Sequence, residues 1–228
     1  MAQGSTIDFS RAMPLLPVSG CVLLPHCAVP LHVHEPCRRH LVQDAVDSNG
    51  LIAVALLACK TRRGERRPAL RPHVCVGYVV RHQRLPQGRY NLLLQGVCRA
   101  RICREVNQQP YRAALLEPTE RPPMPLELDL ADHRHRIESL LNDALLRELM
   151  SVSAIHNCLS AEIPTAALVD MAAMTVWGNV DKRYAMLAEP DPLVRAVWLE
   201  QWLRDTRQTL AAAERFRGEA VSGGLCLN

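Results

Sequence analysis

The residues of this chain best suited to chemistry crowd into one stretch: Cys21, His26, Cys27, His32, His34, Cys37 and His40. Zinc would use four such nitrogen or sulfur ligands converging as a tetrahedron. His32 and His34, two apart on a strand, face one way. The stretch holds no C-x-x-C pair, however, and its spacings differ from those of common zinc modules. Cys37, at a helix start near His34 and His40, is a candidate thiol nucleophile, but nothing supplies an oxyanion hole or an orienting Asn. The only lysines are Lys60 and Lys182. Neither follows the glycine pair of a phosphate-binding loop, and no G-x-S-x-G elbow exists. As the base of a serine-lysine dyad either lysine would need desolvation, yet Lys60 abuts an arginine-rich loop and Lys182 opens a polar helix. That loop gathers Arg62, Arg63, Arg66, Arg67 and Arg71 with Gly64, Pro68 and Pro72. It could contact phosphates, but it carries no aromatic on which a base would stack. No residue is assigned to catalysis, a metal or a cofactor; the five arginines are kept as a possible anion contact.

The elements that must position these side chains follow from proline, glycine and hydrophobic period. Pro14, Pro17, Pro25 and Pro30 cut the stretch from Met13 to Val33 into short apolar pieces, suited to strand beginnings and edge strands. Pro36 can open a helix, and Leu41, Val42, Ala45 and Val46 then fall at helical spacing. Asn49-Gly50 stops it, and the apolar run LIAVALLA follows as a buried strand. Residues 73–106 alternate as two strands around the turn Leu85-Pro86-Gln87-Gly88. Gly96 interrupts the second and predicts a bulge or bend of the kind that curls a sheet. Residues 111–118 supply one more strand.

Four prolines among residues 118–125 predict a stiff linker. Beyond it the period turns helical. Ile137, Leu140, Leu141, Ala144, Leu145 and Leu149 share one face. Pro164 opens another helix, with Ala167, Leu168, Met171 and Met174 inward and Gly178 at its end. A short segment spans Tyr184 to Leu187. Asp191-Pro192 then caps and starts a last helix, lined on one side by Val194, Val197, Trp198, Gln201 and Trp202. The fold class is therefore α+β, with a β-rich lobe over 13–118 and a helical lobe over 126–212. Residues 1–12 and 213–228 are expected to be flexible tails.

Several of these pieces carry a family resemblance. Leu15-Leu16-Pro17, Val22-Leu23-Leu24-Pro25, Pro30-Leu31-His32-Val33 and Glu35-Pro36-Cys37-Arg38-Arg39 stand in order at the start. Val76-Gly77-Tyr78-Val79-Val80 and the run Gly88 to Gly96 follow, then Asp181-Lys182, Leu187-Ala188-Glu189 and Asp191 to Arg195. Over about residues 13–210 this resembles the Lon protease N-terminal domain, or LON substrate-binding domain. Leu24 stands where that family has Phe, His34 replaces a common aromatic, and Cys37 and Arg39 alter the E-P-R-Y-R piece. The resemblance implies a PUA-like curled antiparallel β-barrel lobe followed by a C-terminal helical bundle. It also implies non-catalytic recognition of polypeptide, in unfolded or apolar segments, by a stand-alone member without ATPase or protease modules. Two lobes joined by a stiff linker would form a cleft. An open strand edge near Pro30 to His34 could add a peptide strand. His32, His34, Glu35 and Arg38 are the candidate peptide-binding residues. An RNA-binding PUA-like module and a metal-binding regulator are the alternatives.

Composition sets the outer bounds. Hydrophobic residues are 48% and charged residues 22%, which suits a globular chain with a sizeable core. The net charge is +4, and 25 of the 27 basic residues are arginine. That excess is modest and does not by itself call for a nucleic-acid partner. No apolar run reaches the ~20 residues of a membrane span. No secretory signal is evident, so nine cysteines at irregular spacing read as reduced, mostly buried thiols in a cytoplasmic protein. The expected partner is a polypeptide client or other protein, with no membrane; the sequence does not fix an oligomeric state.

Overall fold

A computed structural model describes residues 7–58, 68–106, 110–119, 127–149 and 163–223, with backbone alone at 127–129, 148–149 and 217–223. Six strands are described: β1 (Met13–Val18), β2 (Ala28–Val33), β3 (Leu51–Leu57), β4 (Leu70–Arg84), β5 (Tyr90–Val106) and β6 (Arg112–Pro118). Six helices are described: α1 (Pro36–Asp47), α2 (Glu127–Leu141), α3 (Ala144–Leu149), α4 (Thr165–Val176), α5 (Val180–Ala188) and α6 (Pro192–Gly223). The strand order is β2-β5-β4-β3-β1-β6, and β6 also pairs with β5. Five strands thus curl into an uneven barrel, while β2 stands outside the ring on the first half of β5. All pairings are antiparallel except β1 with β3.

The chain divides into two compact units. One comprises Met1–Pro122 with Trp177–Pro190, the other Pro123–Val176 with Asp191–Asn228. In the first, the barrel interior is filled by Met13, Leu15, Ala53, Ala55, Val74, Val76, Ala100, Ala114 and Leu116. Small residues alternate with branched ones there, as a narrow barrel needs. Ile7 and Phe9 pack against this core, so the segment expected to be a flexible tail is anchored from residue 7 by its two apolar side chains. Helix α1 buries Leu41, Val42 and Ala45 and packs on β1 and β3. Gly50 ends it with a left-handed φ of 71° and an N–H donated to Ala45 O at 2.8 Å.

The expected bend at Gly96 is present. The β4–β5 register passes from Val76–Cys98 to Gly77–Gly96, leaving Val97 unmatched. Gly96 also exchanges backbone hydrogen bonds with the loop before β2, accepting from His26 N at 2.9 Å and donating to Cys27 O at 2.8 Å.

Residues 177–190, counted with the helical lobe in the sequence reading, return to the β-rich unit. Asn179 caps α5 by accepting from the N–H groups of Asp181 and Lys182. Tyr184 Oη accepts from His73 N at 3.0 Å, Arg71 lies 4.7 Å over the Tyr184 ring, and the fully buried Arg99 donates to Met186 O at 3.4 Å. These bonds fix α5 to β4 and β5.

In the helical unit, α6 packs on α2, α3 and α4. Leu199 and Leu203 of α6 are buried, as are Ile137 and Leu141 of α2 and Leu168 and Ala172 of α4. Asp191 caps α6 through Leu193 N at 2.9 Å, as its sequence predicts. Arg195 and Asp170 form an ion pair at 3.5 Å with side chains only 2% and 1% exposed. The helix continues to Gly223, beyond residue 213, because LAAAERFRGEA contains strong helix formers and no proline.

Candidate functional site

The structure places His32, His34, Glu35 and Arg38 at one corner of the β-rich unit, where β2 passes into α1. Strand β2 pairs with β5 along its whole length, in the register Ala28–Gln95, Pro30–Leu93, His32–Asn91 and Val33–Tyr90. Among the described residues its other side has no strand partner. Val33 is buried while Ala28, Pro30 and His32 are exposed, which is the alternation of a strand with one covered face. His32 Nδ1 lies 2.8 Å from Asn91 Oδ1. The His34 ring stacks on His32, with centroids 6.2 Å apart and planes 21° from parallel.

Glu35 occupies the position before α1 with extended backbone, but its side chain does not cap the helix. It pairs instead with Arg38 at 3.0 Å. Both line a groove of about 270 Å³ with Leu15, Pro17, Leu41, Leu57 and Tyr111 on its apolar walls. Tyr111 Oη donates to Asp44 Oδ2 at 2.7 Å. Burial and that carboxylate push the tyrosine pKa up to about 12, so its hydroxyl stays protonated and polarised toward Asp44. The four predicted residues therefore divide into two adjoining features: the imidazole pair beside a strand edge, and the Glu35–Arg38 pair on an apolar groove. Asn91, Tyr111 and Pro17 were not readable as site residues. Strand register and the return of β6 to α1 bring them in, and neither is encoded by local spacing.

The remaining candidates separate from this corner. Arg62, Arg63, Arg66 and Arg67 lie outside the described residues. Arg71 is directed to Asp181 at 2.5 Å and to the Tyr184 ring, as part of the clamp on α5. Among the described residues no group of three His, Cys, Asp or Glu side chains is placed to hold a metal. His40 Nδ1 bonds Pro36 O within its own helix, Cys27 is buried and Cys37 exposed. Burial raises the Cys21 thiol pKa, against a smaller opposing pull from Arg183, which keeps that sulfur protonated.

The helical unit has a depression of about 340 Å³ lined by His133, Arg136, Val197, Glu200, Gln201 and Arg204. Glu200 is its hub. His133 Nδ1 lies 2.6 Å from one carboxylate oxygen, and Arg136 Nε donates to the other at 2.9 Å, which Arg204 also reaches. Burial alone would raise the Glu200 pKa; the His133 and Arg136 hydrogen bonds and the two arginine charges outweigh it and lower it. The cations here converge on a carboxylate of the chain itself, which is the arrangement of a structural cross-link between α2 and α6.

Comparison with known proteins agrees with this architecture. Residues 12–205 match the family described as the ATP-dependent protease La (LON) substrate-binding domain. A Lon protease of Geobacter metallireducens is 26% identical over 91% of this chain and 25% of its own length. One of Anaeromyxobacter dehalogenans is 29% identical over 95% of the chain and 26% of its own length. The chain thus spans about a quarter of these relatives. Among solved structures, the N-terminal domain of Mycobacterium avium complex Lon protease superposes with a TM-score of 0.61 at 19% identity, covering 86% of this chain and 99% of that one. A Lon N-terminal domain protein from Xanthomonas campestris gives 0.56 at 20%, covering 84% and 98%. The similarity lies in the substrate-binding N-terminal domain and not in an ATPase or protease module. With the motifs, the uneven six-stranded sheet and the family match in agreement, this chain belongs to the LON substrate-binding domain family.

Proposed function

We propose that this chain is a non-catalytic recognition module that holds extended polypeptide along the free edge of β2. The observation that carries the reading is that β2 has one strand neighbour among the described residues. An edge strand offers a row of N–H and C=O groups to any extended chain. A segment laid there gains main-chain hydrogen bonds and demands little of its own side chains, which suits unfolded or apolar clients. Pro30 removes one donor from the strand. The groove walled by Leu15, Leu41 and Tyr111 can take one apolar side chain, and the Glu35–Arg38 pair at its rim can bias client charge. An interface of this size fits a Kd of micromolar order or weaker. The RNA reading has less support, since Arg71 is engaged with Asp181. A reducing cytoplasm suits thiols such as Cys21, Cys37 and Cys103. No helix among those residues is long and apolar enough to cross a membrane.

The test is binding of a labelled denatured protein to the parent and to a His32→Asp, His34→Asp double variant. Both residues are exposed, so the variant should keep the parent's circular dichroism and bind about tenfold more weakly. A folded variant that binds as well as the parent removes the β2 edge as the site, and a parent that binds no client removes the reading altogether. The module should neither hydrolyse ATP nor cleave casein. Turnover that vanishes on changing Lys60 or Lys182 would reverse that expectation.

A further inference from the structure

We propose that the polypeptide taken at this corner is acidic: a segment whose apolar residues are interspersed with Asp and Glu, held on β2 and the outward face of β5 and β4 beside it. The proposal rests on the polypeptide-binding reading and adds the chemical class of client.

Charge distribution is its first support. From Leu70 to Arg104, across all of β4 and most of β5, the sequence has seven arginines and no Asp or Glu. The arginines at one end of this strand pair are engaged. Arg71 pairs with Asp181, Arg101 with Glu117 at 3.0 Å, and Arg99 donates to Met186 O. The arginines at the hairpin end are not engaged in this way. Among the described residues no carboxylate lies within ion-pair distance of Arg81, Arg84 or Arg89. Arg89 Nε donates to Pro86 O at 3.3 Å, and Arg39 donates to Gln87 O, which adds a further cation to the hairpin tip. Glu35, the carboxylate beside β2, is already paired with Arg38.

Register places these cations next to the edge strand. Pro30, Leu93 and Arg81 lie in one row across β2, β5 and β4; Leu31, Leu92 and His82 lie in the next, His32, Asn91 and Gln83 in the third, and Val33, Tyr90 and Arg84 in the fourth. Two strand spacings are about 10 Å, close to the screening length at physiological salt, and an arginine side chain spans much of that gap. A chain on β2 or on this face therefore lies within the cationic field.

The face is also apolar. Tyr78, Val80 and Val97 are 48%, 51% and 40% exposed, and Pro30 and Ala28 are exposed alongside them. Apolar side chains find such contacts here, while intervening carboxylates find Arg81 on this face and the field of Arg84 and Arg89 at the hairpin end. An RNA strand gains no strand pairing from a free edge and would need stacking platforms, for which this strand pair exposes only the rings of Tyr78 and His82.

The experiment measures fluorescence anisotropy of the 228-residue chain with three labelled probes. Two are peptides with the same apolar residues, separated by Asp and Glu in one and by Lys and Arg in the other. The third is oligouridylate. At low salt the acidic peptide should bind about tenfold more tightly than the basic one, and added salt should shrink the difference. Arg81→Glu, Arg84→Glu, Arg89→Glu should invert the preference. The milder Arg81→Gln, Arg84→Gln, Arg89→Gln should abolish it while leaving the thermal transition in place. Equal binding of the two peptides overturns the acidic-client proposal and leaves polypeptide recognition standing. Binding of neither overturns both. Oligouridylate bound more tightly than the acidic peptide, with the same arginine dependence, overturns the proposal in favour of RNA.

Discussion

The Tyr111 hydroxyl, 2.7 Å from Asp44 Oδ2, ties the start of β6 to α1. Tyr111→Phe removes that bond and should cost about 1 kcal/mol, since Asp44 is exposed enough for water to replace the donor. The folded pKa of Tyr111 is raised to about 12 from an ordinary value of 10. Stabilisation from a raised pKa is complete below the unfolded value and lost as pH rises through the folded one. The stability gap between parent and Tyr111→Phe should thus be constant from neutral pH to about pH 10 and close toward about pH 12. Urea unfolding of both proteins across that range checks it; a gap that widens with pH would mean that Asp44 does not hold the phenol. This bond was invisible in the sequence, as were the roles of Arg99 and Arg195. Arginine is ordinarily a solvated residue, and nothing in the local sequence says that Arg99 reaches a carbonyl of α5 or that Arg195 meets Asp170. Arg71 was read as a loop cation for the same reason. His32 and Glu35, in contrast, were placed by Pro30 and Pro36, whose backbone limits act locally.

At the scale of elements, the legible features were those imposed by backbone chemistry. The prolines predicted a short strand β2, Pro36 and Gly50 bounded α1, Asp191-Pro192 opened α6, and Gly96 marked the bend in β5. Gly96 gives the sharpest test. A Cβ there would lie 2.1 Å from Leu24 O, a backbone atom that cannot turn aside. Gly96→Ala should cost at least about 2 kcal/mol by displacing the loop before β2. Gly178→Ala, with nothing within 4 Å of the added carbon, should be neutral. Thermal melts of the two variants compare them directly, and equal transitions would show that the loop yields at little cost. What the sequence did not disclose is pairing. The β1–β3 parallel contact and the β1–β6 closure join segments far apart in the chain, and a strand's own alternation says which face is buried but not by what. Helix α5 was read as a polar helix start at Lys182 and a short segment from Tyr184 to Leu187, and Asn179 with Asp181 in the first turn is the local signal that joins the two.

For the whole molecule, composition puts a lobe boundary at the proline-rich stretch near residue 120, while the compact units cross at Pro122 and again on either side of Trp177–Pro190. Residues 177–190 look helical, and period alone cannot tell a helix that serves a bundle from one that seals a sheet. The contacts of Tyr184, Asp181 and Met186 with Arg71, His73 and Arg99 decide it. A fragment ending at Pro122 should therefore retain strands but lack a cooperative unfolding transition, and proteases should degrade it faster than the full chain. A fragment that melts as sharply as the parent would make α5 dispensable.

That interleaving also sets an order of events on the ribosome. The segment that completes the barrel unit, Trp177–Pro190, emerges only after the first helices of the other unit have been made. At ordinary elongation rates the interval is on the order of several seconds. Throughout it the nascent barrel has the surface meant for α5 uncovered, with the Arg71 and Arg99 guanidinium groups awaiting their partners. The second unit is likewise unfinished until α6 follows. The first unit is complete only at Pro190, after Pro123–Val176 of the second has been made, so the two units cannot be synthesised and folded strictly one after the other from the N-terminus.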